Sequence, residues 1–510
     1  MSKQQYILLP KSGFLGGAER GEAEAMRMIP HRRSTQRPAM AKLEMAGRHD
    51  IKVVDSISEV GPKLIEMDRA AGESLVGKDV SKHLRLMRAK HYRLPVVHPR
   101  HFNPEDAALK PPAVGKPAAA VGKPAPAGVE QLTFTITDAV SGKPVAGAKI
   151  AAYVDFANQK GAPPAVTDNS GKATVPWLKT FPTIESLYIF SPDPPVYWGV
   201  YRSNLRVKSN LSFAMKPVVP TKDAVTFFFP KTQFNANAGV LVGIVDTGVA
   251  KHPALNLVGG ANLVQGEDPN DFGSSGNPHG THVAGLVGAN GLMRGIAPKV
   301  MLRSYRVFGK GAENATNFAI LKGIDAAVKD GCDIINLSLG VDEEDKPMEE
   351  AITHARDHGA VVIAAAANNY GGPVGFPSAY PICLGVSAIG RMGTFPKASQ
   401  PAGDISSVVG ENPLDFFAAF SSIGPTLNFT GPGVGLISTV PDDTYGQMSG
   451  CSMACPVVSG CAASLLSQDS KLLKSKRDRQ RSDKLVAKLA KSASSLGFAP
   501  DHVGKGMPAC

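Results

Sequence analysis

Three residues that could form a nucleophilic catalytic site lie far apart in the sequence, each beside glycine or other small residues. Asp246 ends the apolar run VLVGIVD, His279 lies in PHGTHVAGLVGA, and Ser452 lies in SGCSMACP. A serine hydroxyl is a poor nucleophile unless an imidazole takes its proton and an acid holds that imidazole in one tautomer. The sequence therefore predicts acyl transfer by Ser452, with His279 as the base and Asp246 as its orienting acid.

Acyl transfer also needs fixed hydrogen-bond donors for the oxyanion of its tetrahedral intermediate. Asn368 directly follows the apolar run AVVIAAAA and is the candidate side-chain donor. The backbone N–H of Ser452, at the positive end of a predicted helix, is the candidate second donor.

The cysteines near Ser452 raise a competing interpretation. Six cysteines occur in the chain, with neither a CxxC pair nor a zinc-like Cys/His spacing: Cys332, Cys383, Cys451, Cys455, Cys461 and Cys510. This pattern favours reduced, mostly buried thiols over a disulfide framework or a metal site. A second nucleophile or a redox switch at Cys451 is the less favoured alternative. His282, one helical turn after His279, is predicted to be a packed helix residue because no third metal ligand accompanies the pair.

From about residue 225, the elements needed to position these residues alternate between strands and helices. VLVGIVD, DIINLSLG (333–340), AVVIAAAA (360–367) and ICLGVSAIG (382–390) are typical of buried strands. NFAILKGIDAAVKDG (317–331) and PMEEAITHARDHG (347–359) have helical periodicity. The alternation predicts an α/β fold with a parallel sheet, in which functional groups collect at the carboxyl ends of the strands.

Seven motifs in register resemble the subtilisin-like serine peptidases over about residues 235–468: VGIVDTG, HGTHVAG, INLSLG, AAAANN, FPSAYP, AFSSIGP and SGCSMACPVVSG. The resemblance implies that Asp246, His279 and Ser452 form the triad and that Asn368 is the oxyanion residue. It also implies that Ser338, Leu339 and Gly340 form an edge strand that pairs with extended substrate. The resemblance further implies that Ala366, Ala367 and Gly375 wall a primary pocket with room for a sizeable apolar or aromatic side chain.

Two departures from the family pattern affect the predicted chemistry. Cys451 stands where the family usually has threonine, and its backbone can still serve the site. The interval LVGANGLMR (286–294), where many relatives hold calcium, offers one side-chain oxygen, from Asn290. Calcium takes roughly six to eight oxygen ligands. We therefore expect no metal site at this loop and no cofactor, with a weaker calcium site elsewhere left open.

Composition divides the rest of the chain. The predicted units are a disordered segment (1–48), an α+β unit resembling the family's propeptides (49–109), a Pro/Ala/Gly linker (110–128), a β-sandwich-like module (129–220), the subtilisin-like domain (225–470), and a basic C-terminal tail or helix (471–510). Propeptides of the family assist folding and inhibit the enzyme. The stretch HYRLPVVHP (91–99) is predicted to lie beside 338–340 as an added strand, and cleavage is expected in the linker.

Charge and hydropathy limit the partners and the compartment. The net charge of +11 divides into +9 over residues 1–128, +7 over residues 471–493 and −5 elsewhere. No interleaving of basic and aromatic residues accompanies the charge, so we expect no nucleic-acid partner. The expected partners are polypeptide substrates and the chain's own N-terminal unit. Without a transmembrane run or a signal-like segment, a cytoplasmic location is predicted, with export by another route left open.

These observations predict a zymogen-type serine endopeptidase that hydrolyses peptide bonds through an acyl-enzyme. Two alternatives stay open. The same acyl-enzyme could pass to an amine, giving a transpeptidase or peptide macrocyclase, or the scaffold could bind peptides without catalysis. The acidic run 342–345 is predicted to favour the start of the next helix, the alternative being selection of basic substrate side chains.

Overall fold

A computed structural model of the chain describes residues 2–14, 20–33, 35–37, 39–44, 48–94, 129–156, 158, 160–221, 224–229 and 239–510. The predicted linker at 110–128 lies outside these residues, as does the expected cleavage within it.

The first unit is a five-stranded sheet, ordered β2-β3-β4-β1-β5, with two short helices. Its elements are β1 (Lys3–Pro10), α1 (Arg20–Arg27), β2 (Ala39–Glu44), β3 (Arg48–Ser56), β4 (Lys63–Asp68), α2 (Arg69–Leu75), β5 (Leu84–Arg88) and β6 (His91–Arg93). The period of two along β1 gives the sheet two apolar faces. Tyr6 and Leu8 join one apolar cluster with Met26 of α1. Ile7 and Leu9 join a second cluster, which belongs to the α/β domain.

The prediction that residues 1–48 are disordered is wrong for β1, α1 and β2. β1 lies between β4 and β5 as an antiparallel strand, with Tyr6 opposite both Ile65 and Arg88. The apolar stretch YILLP is short, and its partners come about 60 and 80 residues later in the sequence. Such a strand is stabilised by cross-strand neighbours rather than by local propensity.

The second unit, within residues 129–217, contains two sheets that enclose one apolar core. Its strands are β7 (Val129–Asp138), β8 (Lys149–Asp155), β9 (Lys160–Gly161), β10 (Ala165–Val166), β11 (Lys172–Leu178), β12 (Thr183–Phe190), β13 (Tyr197–Trp198), β14 (Val200–Arg206) and β15 (Asn210–Pro217). Trp177 is buried in this core, and its indole N–H donates to the Phe181 carbonyl at 2.8 Å. Trp198, by contrast, packs into the core of the third unit.

Main-chain hydrogen bonds attach the second unit to the third. The Gln400 amide donates to the Gly199 carbonyl at 2.8 Å, and the Gln447 amide donates to the Pro195 carbonyl at 3.0 Å. Together with buried Trp198, these contacts make the second unit part of the packed molecule rather than a tethered appendage.

The third unit is an α/β domain built on a nine-stranded sheet. Its helices are α3 (Ala224–Phe228), α4 (His279–Gly288), α5 (Asn317–Lys329), α6 (Lys346–Asp357), α7 (Cys451–Ser467), α8 (Ser470–Leu473), α9 (Arg479–Ser492) and α10 (Pro500–Val503). Its strands are β16 (Leu241–Asp246), β17 (Leu257–Asn262), β18 (Met301–Arg306), β19 (Asn314–Thr316), β20 (Ile334–Leu337), β21 (Val361–Ala365), β22 (Leu384–Arg391), β23 (Ile405–Val409), β24 (Asp415–Ala418), β25 (Leu427–Pro432), β26 (Leu436–Val440), β27 (Thr444–Met448), β28 (Ala493–Ser494) and β29 (Met507–Pro508).

The main path of this sheet runs β17-β18-β16-β20-β21-β22-β24-β23, with β25 also paired to β22. Pairing is parallel from β17 to β22, as the alternating pattern predicts, whereas β24 and β23 extend the sheet antiparallel. The carboxyl ends of the adjacent strands β16, β20 and β21 therefore meet at one edge. Helix α7 is buried along nearly its whole length, because small and apolar residues surround its axis.

The C-terminal region is a helix, as predicted, but it is not a tail. Leu485 and Leu489 of α9 are buried in the domain core, together with Phe498 and Val503. The apolar face of α9 is buried against the domain, and its exposed basic residues lie on the opposite face. No helix in the described ranges is both long and apolar enough to cross a membrane.

The prediction that all cysteines are reduced is wrong for two of them. Cys461 of α7 forms a disulfide with Cys510, 49 residues later in the chain. This pair could not be predicted from the sequence, because the two cysteines are far apart and no short Cys spacing indicates their pairing. The other four cysteines are free and buried.

Candidate active site

Asp246 and His279 form a buried pair at the carboxyl edge of the sheet. Asp246 ends β16, and His279 is the first residue of α4. The His279 Nδ1 lies 2.7 Å from the Asp246 Oδ1, which also accepts from the Thr247 amide at 2.7 Å. Because Oδ1 acts as acceptor, Nδ1 carries the proton and Nε2 is the atom able to take another.

The neighbouring backbone fixes the position of this imidazole. The Gly280 amide donates to the Thr247 Oγ1 at 2.9 Å, and the His279 amide donates to the Asn277 Oδ1 at 3.0 Å. Thr247 was not singled out from the sequence. The Thr-Gly that follows the strand-ending acid is the signal that could have identified it.

Ser452 is the second residue of α7, which begins after Gly450. Gly450 has a φ of 148°, a conformation that side-chain-bearing residues rarely adopt, so the entry to this helix favours glycine. The Ser452 hydroxyl donates to the Ser338 carbonyl at 3.3 Å. Among the residues that the structure describes, His279 Nε2 makes no hydrogen bond. The nucleophile candidate and its base candidate are thus not hydrogen-bonded to one another in this state.

Asn368 lies just beyond β21, beside the start of α7. Its Oδ1 accepts from the Cys451 amide at 3.0 Å, which fixes the opposite branch of the side chain as the NH₂ donor. The preceding residue, Ala367, has a φ of 84°. A non-glycine residue in this region carries local strain of about 1–3 kcal/mol, and such residues cluster at functional sites.

Cys451 lies beside this site as a buried thiol. Its Sγ contacts the Ala367 carbonyl at 3.1 Å and the Ser421 Oγ at 3.3 Å. Burial raises the pKa of the Cys451 thiol to about 12. A neutral thiol is a weak nucleophile, so these surroundings favour a packing role over a catalytic one.

His282 also has a packing environment. It is fully buried in α4, and its Nε2 lies 3.1 Å from the Leu436 carbonyl. Burial lowers the pKa of His282 to about 3, so the ring is neutral. This agrees with the prediction of a packed helix residue. No cluster of three or more His, Cys, Asp or Glu side chains suited to a metal ion occurs within the described residues.

The predicted substrate edge follows β20 directly. Ser338 and Leu339 are buried, and the Ser338 Oγ donates to the Ser452 carbonyl at 2.9 Å, tying this segment to α7. On one side, Val341 exchanges two main-chain hydrogen bonds with Phe376, at 2.8 and 2.9 Å. The other side of the segment is the edge on which an extended chain can pair.

The residues predicted as pocket walls lie together. Ala366 and Ala367 follow β21, and the Gly375 amide donates to the Ala366 carbonyl at 2.9 Å. A Cβ at Gly375 would lie 3.1 Å from the Ala367 Cβ and 3.2 Å from the Val341 carbonyl oxygen. Only glycine fits at this position without displacing a neighbour.

β6 of the first unit already lies on the predicted substrate edge. Arg93 exchanges two main-chain hydrogen bonds with Gly340, at 2.8 and 2.9 Å, while β6 pairs antiparallel with β19 on its other side. The predicted pairing of 91–99 with 338–340 is therefore confirmed at Arg93, and residues 95–99 lie outside the described residues.

Two residues that contact β6 were not predicted as site residues. The side chain of Asn317, at the start of α5, accepts from the amide of Lys90, just before β6, and the buried carboxylate of Asp345 accepts from the Tyr92 hydroxyl of β6. The two side chains are also hydrogen-bonded to each other. Asp345 is the N-cap residue of α6, as the predicted helix-start role expects, although its side chain makes no capping hydrogen bond there. No local signal distinguishes either residue, since their roles depend on where β6 docks.

Comparison with known proteins is consistent with this architecture. The sequence profile of the Subtilase family matches residues 237–502. Subtilisin DY of Bacillus licheniformis is 36% identical over 280 residues, which cover 53% of this chain and 89% of that protein. Subtilisin Savinase of Lederbergia lenta is 32% identical over 263 residues, covering 51% and 85%. Alkaline elastase YaB of Bacillus sp. is 34% identical over 262 residues, covering 51% and 60%.

All three matches cover about half of this chain, and the profile places that half in the third unit. The first two units lie before the matched residues. On the extent of the profile match and on these identities, the chain belongs to the subtilase family of serine peptidases.

Proposed function

We propose that the chain is a serine endopeptidase in which Ser452, His279 and Asp246 act as a triad and Asn368 as an oxyanion donor. The observation that carries the proposal is the buried pair of His279 Nδ1 and Asp246 Oδ1, 2.7 Å apart, at the strand edge where α7 begins with Ser452. Acid, base and hydroxyl come from three separate elements of one sheet edge, an arrangement suited to nucleophilic catalysis.

In the first step, the Ser452 Oγ attacks the carbonyl carbon of the scissile peptide bond and its proton passes to His279 Nε2. For this, the hydroxyl must leave the Ser338 carbonyl that it contacts at rest. The oxyanion accepts hydrogen bonds from the Asn368 amide and the Ser452 N–H. The peptide C–N bond then breaks, and the leaving amine takes the proton from Nε2. Water repeats the sequence on the acyl-enzyme and frees the acid product.

The test is labelling with a serine-directed fluorophosphonate, followed by peptide mapping. The proposal expects one adduct at Ser452 in the 129–510 fragment, from which the first unit has been removed, and loss of both adduct and peptide hydrolysis in Ser452→Ala. An adduct without hydrolysis, accompanied by products in which a new amide replaces the cleaved peptide bond, would indicate the transpeptidase alternative. No adduct in a folded 129–510 fragment would favour a non-catalytic binding protein and refute the proposal.

We further propose that the first unit is a propeptide-like inhibitor. Arg93 pairs with Gly340 on the edge where substrate is expected to bind. Three ion pairs join the unit to the domain: Lys322 with Asp55 at 2.7 Å, Lys90 with Glu343 at 2.9 Å, and Arg85 with Glu350. The apolar face of β1 that carries Ile7 and Leu9 packs into the domain core. The second unit is proposed as a β-sandwich-like module that braces the domain through its Gly199 and Pro195 carbonyls.

Inhibition can be tested with a purified 1–109 fragment and a separately prepared 129–510 fragment. Peptide hydrolysis should fall as the first fragment is added. Inhibition should weaken with salt, since exposed ion pairs are screened. Hydrolysis that is unchanged at micromolar 1–109 in low salt would refute the inhibitor role.

A further inference from the structure

Asp404 is a buried carboxyl group that the proposed mechanism does not use. It ends the short 3₁₀ helix Gln400–Asp404 and is 4% exposed. Within the described residues, its Oδ2 has no hydrogen-bond partner. A carboxylate that is buried without a cation beside it is costly, and the group avoids that cost by keeping its proton. These surroundings favour Asp404 as a neutral carboxylic acid.

The side chain of Asp404 reaches the segment that precedes the nucleophile. It accepts a hydrogen bond from the Ser449 hydroxyl. The Ser449 Oγ in turn accepts from the Gly435 amide at 3.0 Å. The next amide, that of Gly450, donates to the Gly433 carbonyl at 2.8 Å, and α7 begins directly after it. Asp404 thus helps to fix the turn from which the helix of the nucleophile begins.

Two tyrosines of the second unit pack against the residue before Asp404. A Cβ on Gly403 would lie 3.0 Å from the Tyr188 hydroxyl oxygen and 3.3 Å from the Tyr201 Cδ2. The two tyrosine rings also pack on one another, with their centroids 4.9 Å apart. The second unit therefore excludes water from this end of the 3₁₀ helix.

The groups around Asp404 leave burial as the main influence on its proton. Burial raises the pKa of Asp404 well above its ordinary value, and the Ser449 hydroxyl lowers it by less. The titratable hydroxyls of this region are those of Tyr153, Tyr188, Tyr201 and Tyr370. Burial raises the pKa of Tyr188 too, with a smaller contribution from Asp404. The Arg202 guanidinium, on β14, donates to the Ala398 carbonyl at 2.8 Å.

We propose that Asp404 is a positioning residue of the peptidase, which in its neutral form holds Ser449 and the start of α7, and whose ionisation at alkaline pH switches hydrolysis off. The inference rests on the serine peptidase function proposed above. Loss of the proton leaves a buried carboxylate, which moves toward water with the 3₁₀ helix, so that Ser449 loses its partner. Because only the neutral form is then competent, kcat/KM falls about tenfold for each pH unit above the pKa of Asp404.

The experiment compares Asp404→Asn with the unmodified sequence in the 129–510 fragment, from about pH 6 to about pH 10. An amide cannot ionise in this range, and its oxygen still accepts from Ser449. The quantity measured is the ratio of the two kcat/KM values, in which the titration of His279 and of other groups common to both proteins cancels. We expect this ratio to be constant at lower pH and then to rise about tenfold per pH unit.

Asp325→Asn is the matched control. Asp325 is another buried acid whose pKa is raised by burial, and it pairs with Lys329 on α5 at 2.6 Å. Its ratio should stay constant over the same range. Tyr188→Ala, which admits water beside Asp404, should lower the pH at which activity begins to fall. A constant ratio for Asp404→Asn, or an equal rise for Asp325→Asn, would overturn the inference while leaving the peptidase proposal intact.

A second measurement needs no hydrolysis and uses the full-length Ser452→Ala chain. Because burial raises the pKa of Asp404, the folded state binds more protons than the unfolded state between the ordinary and the raised value. The stability that the acid confers is therefore complete at low pH and is lost as the pH rises. Relative to Asp404→Asn, the unfolding equilibrium constant should rise about tenfold per pH unit in this interval, as read by urea unfolding.

The two measurements separate the possible failures. An unfolding equilibrium with the same pH dependence in both chains would overturn the neutral carboxylic acid and with it the inference. Absence of hydrolysis in every variant, with the stability difference present, would refute the peptidase proposal and the positioning role together, and would leave Asp404 as a pH-sensitive contact of the fold.

Discussion

Asp55 and Lys322 form the most deeply buried of the ion pairs between the first unit and the α/β domain named above, and removing one partner should have a large effect. The Lys322 Nζ lies 2.7 Å from the Asp55 Oδ2, and the two side chains are 12% and 2% exposed. Solvent screening is weak at such exposure. Loss of one partner from a buried pair costs about 3–5 kcal/mol, because the other charge stays buried.

The direction of the Asp55 pKa sharpens this prediction. Burial raises the pKa of Asp55 above its ordinary value even though Lys322 lowers it, so desolvation outweighs the attraction. The folded state then binds more protons than the unfolded state, and the carboxylate's contribution to stability falls as the pH rises from the ordinary value to the raised one. The pair is therefore costly to break but not strongly stabilising as a whole.

We expect Asp55→Ala in the 1–109 fragment to raise its inhibition constant against the 129–510 fragment by about 10²- to 10³-fold. Combining Asp55→Leu with Lys322→Met should bring the constant back near its original value, because two apolar groups remove both desolvation costs. Glu66→Gln is the control, since Glu66 pairs with Lys52 within the first unit.

An Asp55→Ala constant within about threefold of the original would refute the reasoning, since a buried charge would then have lost its partner without cost. The same holds if the double replacement were as weak as the single one. Circular dichroism of each fragment would show that a weak inhibitor is still folded.

The remaining predictions concern the site itself. Asn368→Ala should lower kcat by about 10²–10³-fold, as expected for one lost oxyanion donor, and an unchanged kcat would remove Asn368 from the site. Cys451→Ser should stay active in a peptide hydrolysis assay, because the buried Cys451 thiol has a pKa raised to about 12 by burial; a folded but inactive variant would revive the thiol hypothesis. EDTA should leave the melting temperature nearly unchanged, and a drop of many degrees that calcium reverses would reveal a metal site.

The candidate triad could be predicted because its signals are local. Asp246 ends an apolar strand, and Ser452 follows a glycine that its helix entry requires. The edge 338–340 was implied by the resemblance to the subtilisin-like peptidases, through the motif INLSLG. Each of these signals spans a few residues, so the sequence alone contains it.

The errors arose where distant residues determine the structure. β1 lies at residues 3–10 but is stabilised by strands at 63–68 and 84–88. Leu485 and Leu489, four residues apart, mark an apolar stripe that the lysines and arginines around them obscured. The contact between Tyr92 and Asp345 could not be predicted from the sequence. The two residues are 253 positions apart, and they meet only because β6 docks on the α/β domain.

The resting contact of Ser452 suggests that substrate binding itself prepares the nucleophile. The Ser452 hydroxyl donates to the Ser338 carbonyl, the same acceptor that an antiparallel substrate strand needs. In the proposed mechanism, a substrate N–H that takes this acceptor displaces the hydroxyl, which then donates its proton to His279 Nε2. Binding energy is then used to orient the reacting group, which raises kcat rather than only lowering KM.

N-methylation of the substrate can distinguish an effect on the orientation of Ser452 from an effect on substrate affinity alone. A peptide N-methylated at the residue that supplies the acyl group cannot donate to Ser338, although the rest of its backbone still pairs with Gly340. We expect its kcat to fall about tenfold or more, in line with one lost hydrogen bond in the activated complex. N-methylation two residues earlier, at the residue opposite Gly340, should act mainly on KM. A raised KM with unchanged kcat for the first peptide would show that the Ser338 carbonyl only binds substrate and does not control the nucleophile.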